Sequence, residues 1–116
     1  MGETDSREFN PGGKEQLSGP IRNLEFDDNN AAEMAAHGIT REEVAEILRN
    51  RYALLRNAKR HRNQPYIMVG QTDGGRWLAV PIGRSQLVAK FWRPATAFPA
   101  GPEQIAKALR TLGGPE

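Results

Sequence analysis

The sequence contains no cysteine. That excludes disulfide scaffolds, thiolate zinc sites and cysteine nucleophiles, and it fits a reducing compartment. No stretch approaches the roughly 18 apolar residues that cross a bilayer, so no membrane association is expected. The first residues carry no basic segment followed by an apolar run, so no secretory signal is expected and the chain reads as cytoplasmic. Histidine is scarce, with only His37 and His61. No histidine pair at helical spacing, no glycine-rich phosphate loop and no nucleophile elbow is present. No metal and no cofactor is therefore expected.

What remains is a chain of 116 residues, the length of one domain. Its net charge of +2 conceals a strong asymmetry. Residues 1–30 hold three basic and seven acidic side chains, and residues 31–48 hold Arg41 against Glu33, Glu42, Glu43 and Glu46. From Arg49 onward twelve basic residues face only Asp73, Glu103 and Glu116, leaving about +9. Such a separation gives one side of a small protein a long-range field, and nucleic acid is the commonest polyanion to meet it.

Residues 1–20 read as a disordered acidic tail rich in Gly and Pro, and residues 21–114 as one folded domain. Ile21, Leu24 and Phe26 open the domain as a short strand. Asp27-Asp28-Asn29 supplies helix caps, and an alanine-rich helix follows until Gly38. Thr40 with Glu43 is a capping box, Ile39 and Val44 have hydrophobic-staple spacing, and Val44, Ile47 and Leu48 form one stripe of a second helix. Strands are expected at Tyr52–Leu55, Tyr66–Val69 and Arg76–Val80, the last two joined by the hairpin turn Thr72-Asp73-Gly74-Gly75. Pro81 marks an edge or a bulge. A fourth strand is expected over Leu87–Trp92, ended by Pro94. Pro102 then starts an amphipathic helix carrying Ile105, Leu109 and Leu112. The fold class is α+β: two short helices, an antiparallel sheet of three or four strands, and a terminal helix.

Strand periodicity puts Lys90 on one face with Val88 and Trp92, and Arg93 on the other. Arg84 lies in the preceding turn and Arg76 opens the strand before it. Lys59, Arg60, His61 and Arg62 form a basic link between the first two strands. Guanidinium groups near Tyr66 suit single-stranded RNA, where arginines pair with phosphates and rings stack on bases. Trp77 and Trp92 could stack on bases in the same way, although their bulk and apolar neighbours more often place such rings in the core. His61 is the side chain there whose ordinary pKa suits acid–base work near neutrality, while His37 reads as a helix-end packing residue. RNA brings its own nucleophile, so a protein need only deprotonate the 2′-OH and stabilise the transition state with cations.

Leu24-Glu25-Phe26-Asp27-Asp28-Asn29, His37-Gly38-Ile39-Thr40 with Glu42-Glu43-Val44, the run Tyr66 to Val80, and Arg93-Pro94-Ala95-Thr96 together resemble the BrnT family. These are RelE-like toxins of type II toxin–antitoxin systems. The resemblance implies a RelE-like fold and a metal-independent endoribonuclease. It also implies a cognate antitoxin, a small ribbon-helix-helix or helix-turn-helix protein through which alone operator DNA is bound. Arg93 matches the family best. The family usually has lysine where Asn30 and Ala36 stand and arginine on the face of Val88, a charge that Lys90 would partly replace. The expected catalytic set is Arg93, Lys90, Arg84 and His61, with Lys59, Arg60, Arg62, Tyr66 and Arg76 binding RNA. The alternative is a relative without catalysis that binds nucleic acid or a protein through the same surface.

Overall fold

A computed structural model of the chain describes residues 21–57 and 64–113. The expectations for residues 1–20, for the link Ala58–Asn63 and for Gly114 lie outside them.

The tightest local signals produce the elements they predict. Thr40 accepts from the Glu43 N–H at 3.1 Å and Glu43 accepts from the Thr40 N–H at 3.0 Å. This reciprocal cap opens a helix over Arg41–Arg49. The helix before it, Asp28–Ala36, is capped by Asp27. It closes through Gly38 N–H to Ala35 and Ile39 N–H to Met34, the paired bonds of a Schellman turn. These two helices are α1 and α2. Gly75, with φ of +91°, lets the chain reverse between Tyr66–Gln71 and Trp77–Arg84, as only a residue without Cβ does readily. A last helix runs over Pro102–Thr111.

With Tyr52–Arg56 as β1, Tyr66–Gln71 as β2 and Trp77–Arg84 as β3, the sheet continues to β4, Trp92–Pro94, and β5, Phe98–Pro99. Its order is β1-β2-β3-β4, with β5 paired to the start of β3, and all these pairings are antiparallel. Even-numbered residues turn to one face: Tyr52, Leu54, Met68, Leu78, Val80 and Ile82 pack with Met34, Val44 and Ile47 of α1 and α2. The opposite face offers the small residues Ala53 and Ala79 beside Val69, and Ala108 of the terminal helix α3 settles against them. No helix among the described residues is long and apolar enough to cross a membrane.

Three expectations need correction. Residues Ile21–Phe26 do not form a strand; Leu24 makes an isolated parallel bridge to Trp92. Pro81 sits within an interior strand. Its carbonyl accepts from Ala95 N–H, so its missing N–H faces the irregular stretch between β4 and β5 and costs no ladder bond. The third correction matters most: Leu87–Phe91 is a loop, and β4 begins only at Trp92. The Ser85 hydroxyl accepts from the N–H of both Leu87 and Val88, and Ser85 N–H reaches back to the Phe91 carbonyl. A side chain that takes two backbone donors offers the chain an alternative to a ladder. Lys90 consequently has φ of +69° and stands exposed in the turn, not on a strand face with Val88.

Gly70 of β2 is the point of closest approach between the sheet and α2. A Cβ there would lie 2.7 Å from Ile47 Cγ2 and 3.1 Å from the Arg51 carbonyl oxygen. Gly70→Ala is therefore expected to destabilise the fold by about 1–3 kcal/mol, the usual cost of overpacking. Urea denaturation measures it; a change within about 0.5 kcal/mol, as at an ordinary surface site, would mean that α2 shifts without resistance.

Candidate nucleic-acid interface

The β3–β4 register sets Arg84 opposite Trp92 and Gly83 opposite Arg93. This brings two of the sequence-predicted cations to the same end of the sheet. Arg84 lies over the Trp92 ring, 4.9 Å from its centroid, and Tyr66 meets the same ring edge-on at 6.5 Å. Trp92 is only 3% exposed. Its ring is thus a core group that holds Arg84 by a cation–π contact, and it presents no open face to a base. Tyr66, half-buried, belongs to the same end.

Arg93 is held from the side. Its Nε donates to Asp27 Oδ2 at 3.0 Å and its Nη2 to Asp27 Oδ1 at 3.1 Å. Asp27 Oδ1 also accepts from the Asn30 N–H at 2.8 Å, as the cap of α1. The Asn30 N–H holds the Asp27 carboxyl below its ordinary value of 3.8; desolvation opposes this and the Arg93 guanidinium adds to it. Asn30 itself is fully buried. Its Oδ1 accepts from the Asp27 N–H, and its Nδ2 donates to the carbonyls of Glu25 and Pro94, each at 2.9 Å. In the position where the resemblance predicts a lysine stands a core amide.

Between these groups lies a cleft of about 330 Å³ lined by Glu25, Asp27, Gln64, Arg84, Leu87 and Arg93 among others. Glu25 turns one oxygen, Oε1, into the interior with no hydrogen-bond partner among the described residues. Leu87 is 84% exposed at the rim. Two guanidinium groups and two carboxylates thus share one opening. Lys90 stands in the adjoining loop but does not line it.

The remaining predicted residues are distributed differently. Arg76 stands just before the opposite end of β3, roughly 26 Å from Arg84 along the strand. It donates to the Gly38 carbonyl and pairs with Glu43 at 3.3 Å, fastening the β2–β3 hairpin to the helices. Lys59, Arg60, His61 and Arg62 lie outside the described residues. The residues flanking that link are joined at the cleft end of the sheet: Asn57 bonds the carbonyls of Pro65 and Gln64. His37 is the exposed C-cap of α1, the helix-end place expected of it, and meets Phe98 edge-on at 6.1 Å. A larger cleft of about 480 Å³ lies at the other end, between Asn50, Arg51, Asp73, Trp77 and Leu112. Its carboxylate, Asp73, is already engaged by Asn50 and Arg49, so it offers little to a charged ligand.

Glu25, Asp27 and Asn30 were not among the predicted site residues. Asp27 was legible as a helix cap, but its grip on Arg93 depends on the bridge that lays Leu24 beside Trp92.

Two measurements probe this arrangement. Asn30→Ala strands two buried carbonyls and one N–H, and is expected to lower stability by about 2–4 kcal/mol in urea denaturation. Asp27 gives a pH signature. Because folding lowers its pKa, its contribution is complete above the unfolded value near 3.8 and is lost as pH falls through the lower folded value. The stability gap between the wild type and Asp27→Asn should therefore be widest near neutrality and close below about pH 4. A gap that stays constant down to about pH 2 would show that the carboxylate's charge contributes nothing.

In comparisons with known proteins, no family model, no curated protein and no solved structure matches this chain.

Proposed function

We propose that this chain is a RelE-like toxin of the BrnT kind: a cytoplasmic, metal-independent endoribonuclease restrained by a small DNA-binding antitoxin. The observation that carries the reading is the convergence of Arg84 and Arg93 on one cleft. The collinear resemblance from Leu24 to Thr96, the α+β architecture and the basic charge from Arg49 onward support it.

The chemistry asks little of the protein. A 2′-OH loses its proton to a base and attacks the adjacent phosphorus; the bond to the 5′-oxygen breaks, and that oxygen takes up a proton. The products are a 2′,3′-cyclic phosphate and a 5′-hydroxyl. Negative charge gathers on the non-bridging oxygens in the transition state, where fixed guanidinium donors act with little reorganisation. Arg84, steadied by Trp92, and Arg93, steadied by Asp27, are suited to that task, with Lys90 adding charge from the loop. His61 is the candidate acid–base residue, and Lys59, Arg60 and Arg62 would hold the RNA backbone.

A second reading has its own observations. Glu25 and Asp27 offset the charge of the two arginines, and the rim exposes Leu87. A cleft of that kind suits a module that binds without cleaving.

Purified chain and a labelled RNA oligonucleotide at fixed salt separate the two. Arg84→Ala and Arg93→Ala, each verified as folded by circular dichroism, are expected to cut cleavage about 10²–10³-fold. Binding should fall far less, because each arginine is one phosphate contact among several. Normal cleavage by both folded variants removes the site from this end of the sheet. Salt-dependent binding by the wild type that leaves the RNA whole selects the binding module.

A further inference from the structure

Arginine presents two bidentate edges, one through Nε and Nη2 and the other through Nη1 and Nη2. In this chain the first edge of Arg93 is filled by Asp27. Nη1 makes no hydrogen bond among the described residues. The carboxylate that fills the first edge is not a loose surface partner. It is fixed at the start of α1 by the Asn30 N–H, while Asn30 reaches across to the Pro94 carbonyl, next to Arg93 in the chain. Both ends of the pair are thus anchored to one buried residue, the carboxylate through the backbone N–H of Asn30 and the strand end through its side-chain amide. Arg93 also lines the cleft, with about a third of its side chain exposed.

From this geometry we propose that Asp27 is the positioning residue of the cleft, gripping Arg93 so that its Nη1–Nη2 edge meets a phosphate group there. Asp27 touches no substrate; it acts through Arg93. The proposal deepens the RNA reading and rests on it only for the identity of the phosphate, which on that reading is the scissile phosphodiester. A long side chain that must be ordered on binding loses rotamer freedom, and a planar fork already clamped on one edge loses less. The opposing effect is plain Coulomb repulsion: a carboxylate beside an anion site disfavours the anion. The two effects have opposite signs in the same variant, and that makes the role measurable.

Asp27→Asn keeps the helix cap, since asparagine caps as well as aspartate, but it loses the charged grip on Nε and Nη2. Arg93→Lys keeps the cation and loses the fork. The experiment is a titration of the full nitrogen-labelled chain with inorganic phosphate, followed through the arginine side-chain resonances by NMR. In the wild type, the Arg93 Nη signals should move while its Nε–H signal stays at its carboxylate-bonded position. Phosphate affinity should drop about tenfold in Asp27→Asn, on the scale of the ordering entropy of one arginine, and similarly in Arg93→Lys. With RNA, Asp27→Asn should lower kcat/KM when the rate is taken per folded molecule, the folded fraction being measured by circular dichroism; loss of stability alone would lower only the apparent kcat, in proportion to that fraction. Equal or tighter phosphate binding by Asp27→Asn overturns the proposal and makes Asp27 a competing counter-ion. So does a wild-type Nε–H signal that shifts with phosphate, or an Arg93 that does not respond at all. Phosphate bound at Arg93 with Asp27 still engaged, in a chain that leaves RNA intact, upholds the positioning role and removes the ribonuclease reading.

Discussion

Much of this molecule hangs on the side-chain amide of Asn30. Burying an amide is costly unless its donors and acceptor are matched, and here both hydrogens and the oxygen find partners on two stretches far apart in the chain: Glu25 and Asp27 on one, Pro94 on the other. The segment that enters the domain, the first turn of α1 and the end of β4 are thereby fixed to one another. The geometry of the Arg93–Asp27 fork follows from this tie, because each partner sits within three residues of an atom that Asn30 holds. Helix α1 is itself nearly featureless, a run of alanines with only Met34 and Asn30 buried. Its location comes from this amide more than from an apolar stripe.

The same tie explains where the sequence was readable and where it was not. The Thr40–Glu43 cap, the Thr72–Gly75 turn and the Pro102 helix start are each encoded within a few residues, and each appears where expected. The apolar run after Gln86 was also local, yet it read as a strand, because periodicity does not register one serine hydroxyl bonding two successive amides. With that strand goes the supposed shared face of Lys90 and Val88. The link between Arg93 and Asp27 spans 66 positions, and no spacing rule reaches so far. Asn30 looked like a missing cation when compared with a family pattern; its role is visible only once its burial is known.

Charge counting was similarly informative in bulk and misleading in detail. The basic stretch after Arg49 is real, but two of its arginines meet acids from the N-terminal half: Arg76 with Glu43 and Arg93 with Asp27. Arg49 meets the one acid nearby in its own half, Asp73. Exposed pairs of this kind add little to stability. They do reshape the field, turning a uniformly positive half into local sites where a cation is oriented by a neighbour. Arg84 is oriented by an aromatic ring, that of Trp92.

The proline in the middle of β3 carries a consequence for the solubility of the sheet. A strand border with an unbroken row of free N–H and C=O groups invites pairing with another chain and, from there, fibrous aggregation. Beyond β3 no such row exists among the described residues. The border is cut into a three-residue piece and a two-residue piece, Pro81 offers no donor at the cut, and the outer side of Trp92 is already occupied by Asn23 and Glu25. An incoming strand would find neither length nor register on that side, so Pro81 helps to deny it a continuous edge there.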